Sequence, residues 1–389
     1  MKVYHQTGFR YQWNLECYQS DIGDGIIFSP VNIDADKLLG IDNKLKSAGF
    51  LDPQLYLLNE AKGTLETYPY FPGNLKPDFS TPDLDSSHVQ LARLCIDYQM
   101  ANKFRFIVIP TRHYEENPST FFSQSNDYFI TPFCDYIEEQ NIKNEILLSV
   151  IVKPIMLNDV EKRNEVLNWI TGHQKVEGVY LILENSFVGK QIKDFGYLFN
   201  VLKFIRILKD NQMQVHIGYT NTEGLLYSVA MPDSITIGSY DNLRSFGIKR
   251  FQDQENGPMR SPKARLYSSR LLQWMDYQYV EAMRQLIPDY EGYFDDSEYR
   301  PLMFKPDYNW HFQKPEPYKH YFKIFHNQVR NLPEKQSGRI DFLKNEVGNA
   351  LRRFKEIENV VLLDDDSNGS HLPTWYNVLN AFQKELAQK

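Results

Sequence analysis

EILLSVIVKP at 145–154, GVYLILE at 178–184, QVHIGY at 214–219 and SITIG at 234–238 are four short apolar runs rich in β-branched residues. Runs of this length suit strands covered on both faces better than they suit buried helices. Between them, Asp159 to Gly172 reads as a helix. A second helix from about Lys193 to Asp210 places Phe195, Leu198, Leu202, Ile205 and Leu208 on one stripe. Strand and helix in alternation are the pattern of βα units around a parallel sheet.

The rhythm extends in both directions. Toward the N-terminus, GIIFSP (25–30) reads as a first strand, and Asp34 reads as the N-cap of a helix that Gly49 ends. FLDPQLYLL (50–58) and RFIVIP (105–110) read as the second and third strands, separated by a Pro-rich excursion at 60–86 that suits a lid or a wall of a site. Toward the C-terminus, ARLYS (264–268) completes a count of eight, followed by a helix from Arg270 to Leu286. The expected fold is α/β, a TIM-like (β/α)8 barrel over 1–287 that includes an N-terminal extension and the 60–86 insertion. An open doubly wound sheet would carry a Gly-rich turn after its first strand, where this chain reads SPVNID. Neither GxGxxG nor GxxxxGK[ST] occurs. Past residue 288 the rhythm gives way to helical segments near 318–331, 337–358 and 374–388. In the middle one, Ile340, Leu343, Val347, Leu351 and Phe354 share a face, so 288–389 is expected to be a helical appendage.

With 389 residues, 42% hydrophobic and 24% charged, the chain has material for a large core and lies outside the disordered and disulfide-stapled classes. Its formal charge of -7 gives no whole-molecule attraction to nucleic acid or to an anionic membrane. Cys17, Cys95 and Cys134 are scattered and odd in number, which argues against a disulfide framework and a CxxC zinc site. No apolar run reaches the roughly 20 residues of a spanning helix, and no secretory pattern opens the chain, so a cytoplasmic location without membrane insertion is expected.

Chemistry in a barrel belongs where strands end and βα loops begin. Those places hold Ser29, Asn32, Asp52, Gln54, Tyr56, Arg112, His113, Lys153, Glu184, Asn185, His216, Tyr219, Gly238, Ser239, Asn242, Arg244, Arg265 and Tyr267. Asp52 and Glu184 are candidates for a general acid and base. The alternative is a carboxylate pair neutralised by Lys153 and nearby arginines, holding the mouth together. Asp52 is the stronger candidate, since DPQ inside an apolar strand is costly without a partner. Asp52, Glu184 and His216 also have the ligand types of a divalent-metal site, although no HxH or HExxH motif joins them; the competing role for His216 is a buried, hydrogen-bonded strand residue. Lys153 suits a Schiff base or a counter-ion. No GxSxG elbow is present.

Residues 239–270 hold seven basic residues (Arg244, Lys249, Arg250, Arg260, Lys263, Arg265, Arg270) against three acidic ones (Asp241, Asp253, Glu255), in an otherwise acidic chain. Loops after the last barrel strands often hold phosphate, and the arginine fork suits it. A solvated loop that pairs with the acidic appendage is the alternative.

HIGYTNTEGLLYSVAMPDSITIGSYDNLRSFGIKRF (216–251) resembles the sixth and seventh units of tRNA-guanine transglycosylase-like barrels, and DPQLY (52–56) sits where such barrels carry an early catalytic or base-binding aspartate. The cysteine-rich zinc motif of those enzymes is absent, and the position of their nucleophilic aspartate reads Gly238–Ser239. LDPQLY and NLRSF also resemble segments of uncharacterised bacterial barrel proteins, some encoded in mobile or defence islands.

Three readings follow. The first is an enzyme acting on an anionic, nucleotide-like ligand at the barrel mouth, with Asp52, Glu184, His216 and Lys153 as catalytic candidates. Its ligand-binding candidates are Gln54, Tyr56, Asn185, Gly238, Ser239, Arg244, Arg250, Arg265 and Tyr267. The second is a non-catalytic module of a larger, antiviral assembly that docks a protein through 289–389 or 60–86. The third is RNA binding local to 239–270.

Overall fold

The computed structural model describes residues 1–185, 189–252 and 262–388. Eight parallel strands form a nearly closed barrel: β1 (Lys2–Gln6), β2 (Gly25–Phe28), β3 (Phe50–Leu51), β4 (Phe106–Ile109), β5 (Glu145–Val152), β6 (Gly178–Leu183), β7 (Gln214–Gly218) and β8 (Ser234–Gly238). β1 pairs with both β2 and β8, so first and last strands are neighbours, as closure requires. The remaining seam, between β3 and β4, is bridged by the Arg105 N–H donating to the Gly49 carbonyl at 2.9 Å.

The architecture agrees with the sequence reading, but two strands are assigned differently. KVYHQ, read as part of an extension, is the first barrel strand. ARLYS does not enter the barrel; as β9 (Arg265–Ser268) it pairs antiparallel with β10 (Gln273–Asp276), which takes the first part of the helix expected from Arg270 to Leu286. Once β1 occupies the place between β2 and β8, the ring has no vacancy for a ninth strand.

Alternation along the strands separates two apolar clusters. Outward-facing residues pack against the surrounding helices, among them Phe195–Asp210, whose Leu198, Leu202, Ile205 and Leu208 are buried while Phe195 is exposed. Inward-facing residues fill the barrel. Its floor is aromatic: Tyr4, Phe50, Phe106 and His216 lie with ring centroids 5.0 to 6.0 Å apart. Above it stands Tyr180, its ring 5.2 Å from Phe50. Gly218 makes room for that ring, since a Cβ there would approach the Tyr180 ring and hydroxyl to 2.6 Å.

The Pro-rich excursion packs as a wall. Tyr68 and Tyr70 are buried, and the Tyr68 hydroxyl donates to the Ile33 carbonyl at 2.6 Å. The β9–β10 hairpin lies against helix Glu316–Arg330 through Tyr267, Trp274, Tyr321 and Phe325. Helix Gln336–Glu358 buries Ile340, Leu343, Val347 and Phe354, leaves Leu351 half-buried and exposes Arg352 and Lys355. Both regions belong to the same continuous apolar cluster as the outer barrel wall. No helix among the described residues is long and apolar enough to cross a membrane.

Candidate functional site at the barrel mouth

The chain turns sharply after β3, and the turn sets Asp52 at the mouth. The Asp52 N–H donates to the Phe28 carbonyl, extending the strand by one residue, and Gln54 then takes φ of +54°. Tyr219, just past β7, takes φ of +55°. Left-handed backbone at non-glycine residues is uncommon and concentrates at functional sites, and here both residues serve the same carboxylate.

Asp52 is wholly buried yet surrounded by donors. The Tyr56 hydroxyl lies 2.8 Å from each carboxylate oxygen, Tyr219 donates to Oδ2 at 3.0 Å and Tyr180 to Oδ2 at 3.2 Å. The Gln54 N–H reaches Oδ1 at 3.2 Å, and its Nε2 donates to the Tyr219 hydroxyl at 3.2 Å. Gln54 Oε1 accepts from Ser29 Oγ and the Val31 N–H, so the side chain is fixed at both ends. Burial pushes the Asp52 carboxyl up to about 6, against the lowering effect of the tyrosine and backbone donors. Such a group changes protonation close to neutral pH.

Aromatic rings roof this carboxylate. Phe246 and Phe251, from the segment after β8, pack edge-on against Tyr56 with centroids 5.1 and 4.8 Å away, and Phe246 meets Tyr219 at 5.4 Å. The segment crosses the mouth far enough for Phe246 to bridge to Glu184 at the end of β6. The half-buried Arg250 guanidinium lies 5.7 Å from the Tyr219 ring and 5.3 Å from Phe251, with Nη1 on the Asn242 carbonyl.

Glu184 stands on the same inward-facing side of β6 as Tyr180, and His113 Nε2 lies 3.1 Å from both its oxygens. The His113 N–H donates to the Tyr56 carbonyl, joining this pair to the Asp52 cluster. Lys153 follows β5 nearby. Its amine donates to the carbonyls of Tyr114 and Glu115; burial lowers its pKa while Glu184 raises it. It also lines a cleft of about 590 Å³ with Glu115, Glu116 and Lys162.

The other expected residues fall into separate places. His216 does not join Asp52 and Glu184: it lies in the floor, bonded to Ser234 Oγ at 2.8 Å and Gln214 Oε1 at 3.3 Å, and burial lowers its pKa to about 4. The residue sits in the middle of a five-residue strand, two positions short of its C-terminal end. The metal set drawn from the sequence is therefore not assembled, and no group of three or more ligand-type side chains converges among the described residues. Arg244 is buried, with Nη1 on the Gly238 and Ser239 carbonyls at 3.1 and 2.7 Å and Nη2 on Asp241. Its guanidinium stacks 4.0 Å from the Trp274 ring. Arg265 pairs with Asp276 at 2.6 Å and Asp366 at 3.3 Å, and Tyr267 donates to Gln328; both belong to the hairpin, not to the mouth. Arg260, Asp253 and Glu255 lie outside the described residues.

Asn185 borders a small polar pocket of about 160 Å³ with Lys190, Asn221, Glu223 and Arg244. The sequence reading missed Glu223, whose carboxyl is pushed by burial up to about 7. An acidic residue at the head of the apolar GLLY stretch was its only signal. Tyr180 and Gln6, which stand beneath Asp52, were missed as well. The cysteines are buried and free, and burial raises their thiol pKa values, so none is poised as a nucleophile.

No family model, curated protein or solved structure matches the chain. The fold defines its class, an α/β protein with a TIM-like barrel and C-terminal helices.

Proposed function

We propose that the chain is an enzyme acting on a planar, nucleotide-like ligand at the C-terminal mouth of the barrel, with Asp52 as the group that takes and returns a proton. The observation that carries this reading is a wholly buried carboxylate held by three tyrosine hydroxyls beneath an aromatic roof, where burial pushes its pKa up. A heterocyclic N–H is the kind of group such a carboxylate recognises. Tyr56, Phe246 and Phe251 supply ring faces of the kind on which bases stack. Arg250 at the rim suits the anionic part of the ligand, and Glu184 with His113 forms a second proton-handling pair beside it. Entry requires Phe246 and Phe251 to withdraw, because Asp52 has no exposure while they cover it.

RNA binding through 239–270 has less support, because Arg244, Lys263 and Arg265 are paired with carboxylates of their own chain. The test is calorimetric titration of a panel of nucleobases, nucleosides and nucleoside monophosphates. One of them should bind, with Asp52→Asn weakening it at least tenfold and Arg250→Ala weakening only the phosphorylated members by about 10-fold or more. A panel that fails to bind, or binding untouched by Asp52→Asn, would remove this reading.

A further inference from the structure

The barrel has a second opening at the N-terminal ends of its strands. A cavity of about 330 Å³ lies there, lined by Lys2, Tyr4, Arg105, Gln214, His216, Asp233 and Arg339 among others. We propose that it is a binding site for a compact, multiply charged oxyanion of the phosphate or pyrophosphate class, separate from the mouth.

Charge is the first argument. Three cationic side chains border the cavity, against one carboxylate, and that carboxylate is already occupied. Asp233 receives Lys209 Nζ at 2.6 Å and the Val215 N–H at 2.7 Å. Lys2 and Arg105 are exposed and have no carboxylate partner among the described residues; the Arg105 guanidinium rests 4.8 Å from the ring of its neighbour Phe106. Arg339 is buried and fixed by the Pro333 and Ser228 carbonyls, which orient the guanidinium without neutralising it. In a protein of net charge -7, a cavity bordered by three cationic side chains and one carboxylate is a local exception.

The second argument is independent of charge. Tyr4 has no exposure, and its hydroxyl is buried without a hydrogen-bond partner. A buried polar atom left unpaired costs stability and calls for an explanation, and a small shift of the ring toward the cavity it lines would give the hydroxyl a ligand oxygen as partner. His216 offers no free donor: its ring nitrogens are engaged by Ser234 and Gln214. The volume exceeds what a single phosphate needs and leaves space for pyrophosphate.

The probe is inorganic pyrophosphate, titrated calorimetrically into the full chain at fixed ionic strength, with chloride as the comparison anion. One saturable site is expected. Arg105→Ala and Lys2→Ala, both at exposed positions, should each weaken it about tenfold or more, and Tyr4→Phe, which keeps the ring and removes the orphan hydroxyl, about 3- to 10-fold. Arg250→Ala at the mouth should leave it unchanged. Absence of saturation, equal competition by chloride, indifference to Tyr4→Phe and Arg105→Ala, or loss through Arg250→Ala would each overturn the assignment. Failure here leaves the mouth proposal standing, because the two sites share no residue.

Discussion

Arg244→Ala should lower unfolding stability by about 2–4 kcal/mol, the scale of taking a charged donor from two buried carbonyls and losing a cation–π contact. The guanidinium ties the end of β8 to the hairpin: it holds the Gly238 and Ser239 carbonyls, reaches Asp241 and lies over Trp274. Removing it leaves two buried carbonyls unpaired and deprives Trp274 of a cation–π partner, a contact worth about 0.5–2 kcal/mol. Lys190, 2.6 Å from Asp241, offsets part of the loss. Arg244→Lys should recover a minor share, because an ammonium cannot match the planar fork. Urea denaturation of the three proteins measures this. A cost below about 1 kcal/mol for Arg244→Ala would mean that the hairpin is held by other contacts.

Gly218→Ala is the second large effect. Its added carbon would sit 2.6 Å from the Tyr180 ring and hydroxyl, on a strand paired on both sides, so neither backbone nor ring has a free direction to move. Overpacking of this kind costs about 1–3 kcal/mol, and displacement of Tyr180 would also remove one donor from Asp52. Tyr180→Phe deletes that donor alone and should cost about 1 kcal/mol. Chemical denaturation should thus rank Gly218→Ala well below Tyr180→Phe in stability. Equal losses would show that the ring relocates freely.

The parts of the fold legible in the sequence were those with long, unmixed apolar runs. β5 through β8 are framed by clear helices or turns, and their phase follows from simple alternation. β1 was hidden because KVYHQ mixes Lys, His and Gln into five residues; in the barrel His5 faces outward to bond Asn14 and the Ile22 carbonyl, while Gln6 points inward. The hairpin strand ARLYS is a true strand, but local pattern does not distinguish a barrel neighbour from an antiparallel partner eight residues on. At the site, Asp52, Gln54 and Tyr56 were legible because burying DPQ demands partners. Tyr180 was not, since one tyrosine in GVYLILE reads as core until the strand is phased against Asp52. The basic loop misled in part: local charge says nothing about whether an arginine faces solvent or, like Arg265, a carboxylate about a hundred residues away in the chain.

We propose that Asp52 is held ionisable at the mouth for chemistry, at a cost in stability. With its pKa raised to about 6, the native state binds the proton more tightly than the unfolded chain does. Stability from this group is therefore greatest below about pH 4, falls as pH rises to 6 and stays low above it, a difference of about 3 kcal/mol. Asn at this position keeps the shape, and the tyrosine hydroxyls can rotate to accept from its amide. The decisive measurement is the melting temperature of Asp52→Asn minus that of the natural chain, taken from pH 4 to pH 8. It should be near zero at pH 4 and become positive by a few degrees by pH 7. A difference that is negative at every pH would mean that the carboxylate is a structural keystone, and would contradict the account.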